Sequence, residues 1–257
     1  MVPTDEELAI SVEISGLGES LWAKSEKVTG LFTDREMLSV LIYRRLWSNH
    51  RGFVHLWRNA LPTEADIILL SGLEAAICIA ANRTLGSDFG TMLRQNAAFT
   101  VMDQIRMHQG NDDAGQVAES EEVLRGLTAG LPKGVKPAKL DYMTLAREGG
   151  VPQLYEWHRQ ISGVSSHVTG VSIIYGVTDE TEKVSKMQAR WREMSNRMRP
   201  MMMCSATLTG SLHHAEVIES AGHLDAAREL ANRMNEISTQ WPGNSRQQTS
   251  TLHPGQR

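Results

Sequence analysis

Tyr155, Arg159, Ser162, Ser166 and Thr169 recur at spacings of four, three, four and three residues. On an α-helix that spacing places all five on one face. Trp157, Ile161, Val164, Val168, Val171 and Tyr175 gather on the opposite, apolar face. His167 lies between the two faces, with Gly163 four residues before it and Gly170 three after. Glycine costs a helix interior roughly 0.5–1 kcal/mol relative to alanine, so the pair predicts close approach of another helix or a ligand to that backbone. A guanidinium offers two parallel donors to a phosphate or carboxylate, and an imidazole exchanges protons near neutral pH. Together with neighbouring hydroxyls they could bind an anion and move a proton at it. No other stretch of the chain combines Arg, His, hydroxyls and small residues so tightly.

The elements that must position this stretch read as helices throughout. Residues 1–30 form an arm of one or two amphipathic helices interrupted at Gly16 and Gly18. Residues 31–238 form a helical bundle, and 239–257, opening with Gln240 and Trp241, read as a disordered tail. Thr33-Asp34-Arg35-Glu36 has the form of a capping box ahead of a helix bearing Met37, Leu38, Leu41, Ile42 and Leu46. Its continuation interleaves basic and aromatic side chains (Tyr43, Arg44, Trp47, His50, Arg51, Trp57, Arg58). Such a pattern suits an RNA strand, or else aromatics packed inward beneath a solvated arginine face.

Pro62 opens a helix with acids in its first turn, and its body from Ile67 to Arg83 is apolar almost all round, the mark of a central helix covered by its neighbours. Glu74 falls inside that run and needs a partner, with an arginine the expected one. A further helix spans Asp88 to His108, and 109–139 is an excursion holding a short acidic helix near Ser120–Leu127. A charged helix from Asp179 is expected to stop at Pro200, with a separate apolar helix from Met201 to Ser220 and a last one from His223 to Ile237. No stretch alternates long enough to be a strand. The expected fold class is all-α, a multi-helix bundle.

Composition narrows the function classes. Hydrophobic residues make up 41% and charged residues 22% of the 257, with a net charge of −4, which is globular and gives no basic footprint for non-specific DNA binding. Cys78 and Cys204 have no metal-type spacing and imply a reduced, cytoplasmic protein. The acidic start of the chain lacks an apolar signal core. The longest apolar runs fall short of the about 20 residues that cross a bilayer, so no membrane association is expected. Phosphate loops, dinucleotide fingerprints, His-Glu-x-x-His and nucleophile elbows are missing. The nine histidines are scattered, so neither a metal nor a cofactor is expected.

The run Leu140-Asp141-Tyr142, Leu145-Ala146, Gly149, Tyr155, Arg159, Ser162, His167 resembles the carboxy-terminal signature of a bacterial family of all-helical proteins distantly related to HEPN domains. Leu69-Leu70-Ser71-Gly72-Leu73-Glu74 is similar to that family's central helix, and the resemblance covers about residues 40–180. It implies a HEPN-like bundle, a homodimer, and metal-independent cleavage of RNA by attack of the ribose 2′-OH in a bacterial defence or toxin–antitoxin system, with a possible operon partner. Arg159 would hold phosphate and His167 would act as acid and base. Ser162, Ser166 and Tyr155 would assist, with Glu74 and His158 in support. Here seven residues separate Arg159 from His167, against the four to six implied, and Gly72-Leu73 stand where an arginine would precede the acid. The alternative is a non-catalytic helical interaction, scaffold or sensor module, in which Glu74 holds a helix-contact histidine or pairs with Arg159.

Overall fold

The computed structural model describes residues 3–165, 182–239 and 241, with only the backbone of 164–165 and 182–195. Among them are nine α-helices and no strand: α1 (Asp5–Ser25), α2 (Arg35–Arg58), α3 (Pro62–Leu85), α4 (Ser87–Gly110), α5 (Ala114–Ala129), α6 (Tyr142–Glu148), α7 (Pro152–Ser165), α8 (Glu182–Val217) and α9 (Ala221–Ser238). The all-α expectation holds at that level. No helix among the described residues is long and apolar enough to cross a membrane.

Helix α3 is the axis, as its sequence requires. Leu69, Leu73, Ala76, Ile77, Ile79, Ala80 and Ala81 are buried, and α2, α6, α7 and α8 surround it. Fully burying a leucine or isoleucine side chain contributes roughly 1.5–3 kcal/mol, so this one helix anchors a large share of the core. A second cluster joins α1, α8 and α9 through Ile10, Ile14, Leu17, Met201, Cys204, Leu208, Leu230 and Met234. Helix α5 differs. It packs on α4 as a hairpin, and none of its residues is buried. The acidic helix expected within 109–139 is therefore longer than 120–127 and lies outside the core.

Four expectations are corrected. The arm helix runs unbroken from Asp5 to Ser25, because Gly18 is a packing position: a Cβ there would overlap the Trp47 ring. The capping box belongs to α1. Thr4 Oγ1 accepts from Glu7 N at 3.2 Å, and Glu7 Oε2 accepts from Thr4 N at 2.8 Å. Asp34 makes no cap to α2 and accepts from Leu31 N instead, at 2.7 Å.

Pro200 does not stop a helix; α8 passes through it. An interior proline costs about 3 kcal/mol, which the burial of Met201, Met203, Cys204 and Ala206 just beyond it offsets. Arg197 on Glu7 (3.1 Å) and Arg199 on Asp66 (2.7 Å) hold the turn ahead of it. Finally Trp241, expected in a disordered tail, is buried and donates from Nε1 to Glu7 Oε1 at 2.9 Å.

Candidate functional site

Helix α7 docks on α3 with Leu154 and Ile161 buried and Trp157 half-buried, the apolar face expected of it. The polar face carries the expected site residues. Tyr155 and Ser162 are half-buried and Arg159 is exposed; Ser166 and His167 lie outside the described residues. A Cβ on Gly163 would meet no described atom within 4 Å, so the close approach expected there is not made by any described neighbour.

Glu74 meets α7 through an imidazole rather than the expected guanidinium. His158 Nε2 lies 3.1 Å from Glu74 Oε1. The ring sits between Tyr155, stacked at 5.9 Å, and Tyr142 of α6, tilted at 5.3 Å. Burial raises the Tyr142 hydroxyl above its ordinary pKa, with the Cys78 and Glu74 side chains adding to the shift. His158 Nδ1 is buried with no hydrogen-bond partner among the described residues. One ring nitrogen is thus held by a carboxylate and the other is closed to solvent. This geometry ties α7 and α6 to α3 and leaves no nitrogen of His158 open to a substrate. Arg159, one residue on, remains accessible to an anion.

A concavity lies elsewhere, between α1 and α2, with a volume of ≈ 1460 Å³. The two helices run antiparallel, with Ser15 beside His50 and Gly18 under Trp47. The basic and aromatic side chains of α2 divide as the amphipathic reading predicts. Tyr43, Trp47 and Phe53 are buried, with Trp47 stacked on His50 at 5.2 Å, while Arg44, Arg51 and Arg58 are exposed. These arginines recur every seven residues and form one stripe on the α2 wall. The α1 side contributes Glu19 and, just past the end of α1, Glu26, both toward the Arg44 end of the stripe.

The charged side chains of the two walls do not pair. Ion pairs of the described residues join Arg83 to Glu216, Arg197 to Glu7, Arg199 to Asp66 and Arg233 to Glu13, and none bridges this cleft. Sequence reasoning found the α2 wall but missed α1's part in it. Ser15 and Glu19, four residues apart on α1, were the available signal.

Hydroxyls fix the floor and the α1–α8 seam behind it. His50 is bracketed by Ser15 Oγ on Nε2 and Thr207 Oγ1 on Nδ1, both at 2.9 Å. His214 is bracketed by Ser25 and Ser39, both at 2.8 Å, and Tyr43 stacks on its ring at 4.3 Å. Burial lowers His50 to about 4 and His214 to about 3, so both are neutral at pH 7 and serve as two-ended hydrogen-bonding struts. No group of three or more His, Cys, Asp or Glu suited to a metal occurs among the described residues.

No protein-family model matches the chain, and no curated protein or solved structure is significantly similar to it.

Proposed function

We propose that this chain is a non-catalytic helical interaction module whose binding surface is the α1–α2 cleft. The observation that carries this is an open cleft lined by Arg44, Arg51 and Arg58 along α2 and by Glu19 and Glu26 at the Arg44 end of the α1 side, with no ion pair between the two sides among the described residues. An occupant with charge of both signs would complete them. A helix laid in a groove does so with acids toward α2 and a base toward α1.

A nucleic-acid strand fits less well. Of the two tryptophans that line the cleft, Trp47 is buried and Trp22 half-buried, which leaves little ring face to stack on, and Glu19 and Glu26 would repel its phosphates. The test is fluorescence anisotropy with two labelled probes: a helical peptide carrying glutamates at i and i+3, and a single-stranded oligoribonucleotide. Saturable, salt-sensitive binding of the peptide that Arg51→Glu abolishes supports the module. Binding of the RNA alone would overturn it.

A second reading rests on Arg159, exposed beside the Glu74–His158 pair. In it the chain is a HEPN-like, metal-independent ribonuclease, acting as a homodimer within a bacterial toxin or defence pair. Arg159 holds phosphate and His167 moves the proton. Cleavage of labelled RNA in EDTA that both Arg159→Ala and His167→Ala abolish, at unchanged melting temperature, would establish it. Intact RNA with the wild-type chain would end it.

A further inference from the structure

We infer that the occupant of the α1–α2 cleft is α5 of a second copy of this chain, so that the α4–α5 hairpins of two copies exchange into each other's clefts. The inference rests on the interaction-module reading and names its partner.

Helix α5 is the one described helix of full length with nothing buried, although it carries a defined outward face. Val117, Ser120, Leu124, Leu127 and Thr128 are half-buried toward α4. On the other side, at about 100° per residue, lie Gly115, Ala118, Glu119, Glu122 and Gly126, all exposed. A Cβ on Gly126 would meet nothing within 4 Å, and one on Gly115 only its neighbour Asp113, so a second surface can come close to this backbone. Arg125 and Glu119 fall on opposite flanks of that face.

The match with the cleft is one of sign and helix length. Glu119 and Glu122, one turn apart, answer the middle of the α2 stripe at Arg51, and Arg125, on the other flank with Glu121 one turn before it, faces the end of the α1 side that bears Glu19. The stripe from Arg44 to Arg58 spans about 21 Å along its helix, and the 16 residues of α5 span about 24 Å. Val123, among the more exposed apolar side chains, would then reach the cleft beside Val12 and Val54. An exchange in which each copy supplies both cleft and helix is closed by a twofold axis and stops at the dimer.

Sedimentation equilibrium of the full chain across a wide concentration range tests this. The wild type is expected to be a reversible dimer whose dissociation constant rises with salt, since the contacts are exposed charges. Arg44→Glu/Arg51→Glu/Arg58→Glu in one chain, and Glu119→Arg/Glu122→Arg in another, should each weaken the dimer at least about tenfold, a loss of about 1.4 kcal/mol. All five changes in one chain should restore it, because the signs are reversed on both sides. All of these positions are solvent-facing, and unchanged circular dichroism would confirm the fold. A dimer indifferent to the reversals would overturn the exchange. A monomer at every concentration that still binds the glutamate-bearing peptide would overturn it and leave the module reading standing; a monomer that binds neither would remove both.

Discussion

Glu7→Gln is the substitution that most directly tests how α1 is held. Glu7 is fully buried and accepts from Thr4 N (2.8 Å), from Trp241 Nε1 (2.9 Å) and, at both oxygens, from Arg197 Nε (3.1 Å). Burial pushes its carboxyl up, but the bonds from Arg197, Thr4 and Trp241 outweigh that and hold it below the ordinary carboxylate value. Glutamine keeps the shape. It cancels the charge and turns an NH₂ toward donors on at least one side.

Removing one partner of a buried ion pair costs about 3–5 kcal/mol. Arg197 keeps 12% of its side-chain surface, which places the loss near the lower end, at about 3 kcal/mol. For a chain of this size each kcal/mol moves Tm by about 2–4 °C, so a drop of about 6–12 °C is expected at pH 7 by calorimetry or circular dichroism. A carboxyl with a depressed folded pKa contributes its stability above the unfolded value of 4.5 and loses it as pH falls through the folded value. The gap between wild type and variant should therefore close in acid, where Glu7 is itself neutral. A Tm change under about 2 °C at pH 7, or a gap that does not narrow below pH 4, would refute the account.

His50 and His214 set a second pH window at less acidic values. The unfolded chain takes up their protons near 6.5 and the folded chain only near about 4 and about 3, so stability is full above 6.5 and falls below it, by on the order of 2 kcal/mol per histidine at pH 5. Urea titrations at pH 7 and 5 should show this fall, and His50→Gln/His214→Gln should flatten it. Gly18→Val drives a side chain into the Trp47 ring and should cost about 1–3 kcal/mol in the same titration, while Gly16→Ala, with nothing within 4 Å of its Cβ, should not. Burial raises Cys78 to about 12 and Cys204 to about 11, so a thiol reagent should label neither at pH 8 until denaturant is added, when both react.

The sequence disclosed what periodicity encodes and little of what tertiary pairing decides. The all-round apolar pattern of 67–83 marks α3 as central, and the two-faced pattern of 155–161 predicts which side of α7 meets it. Pro200 misleads because its local penalty is smaller than the burial gained by the four residues after it. Glu74 announces that it needs a partner, yet His158 and Arg159 are adjacent on α7 and only the rotation of that helix on α3 selects the imidazole. Serines at 15, 25 and 39 look like ordinary solvent-facing hydroxyls. Their role depends on two histidines 35 and 189 residues away from Ser15 and Ser25, a separation that no window along the chain can span. Trp241 is the same case: its burial follows from a carboxylate 234 residues earlier.

The shape of the cleft follows from how α1 is seated. Along α1, three contacts of different kinds fix it: Glu7 to Arg197 and Trp241 near its start, Gly18 against Trp47 at its middle, and Ser25 to His214 at its end. The flank of α1 bearing Val12, Glu19 and Glu26 is left to form a wall, at a distance from the arginines that those contacts determine. A rigid wall spares a docking helix the cost of ordering its receptor. Binding and stability therefore separate by position. Arg51→Glu acts on the wall charge and should weaken docking with Tm unchanged. Glu7→Gln touches no cleft residue, and should weaken docking only to the extent that it loosens α1, in step with the fall in Tm.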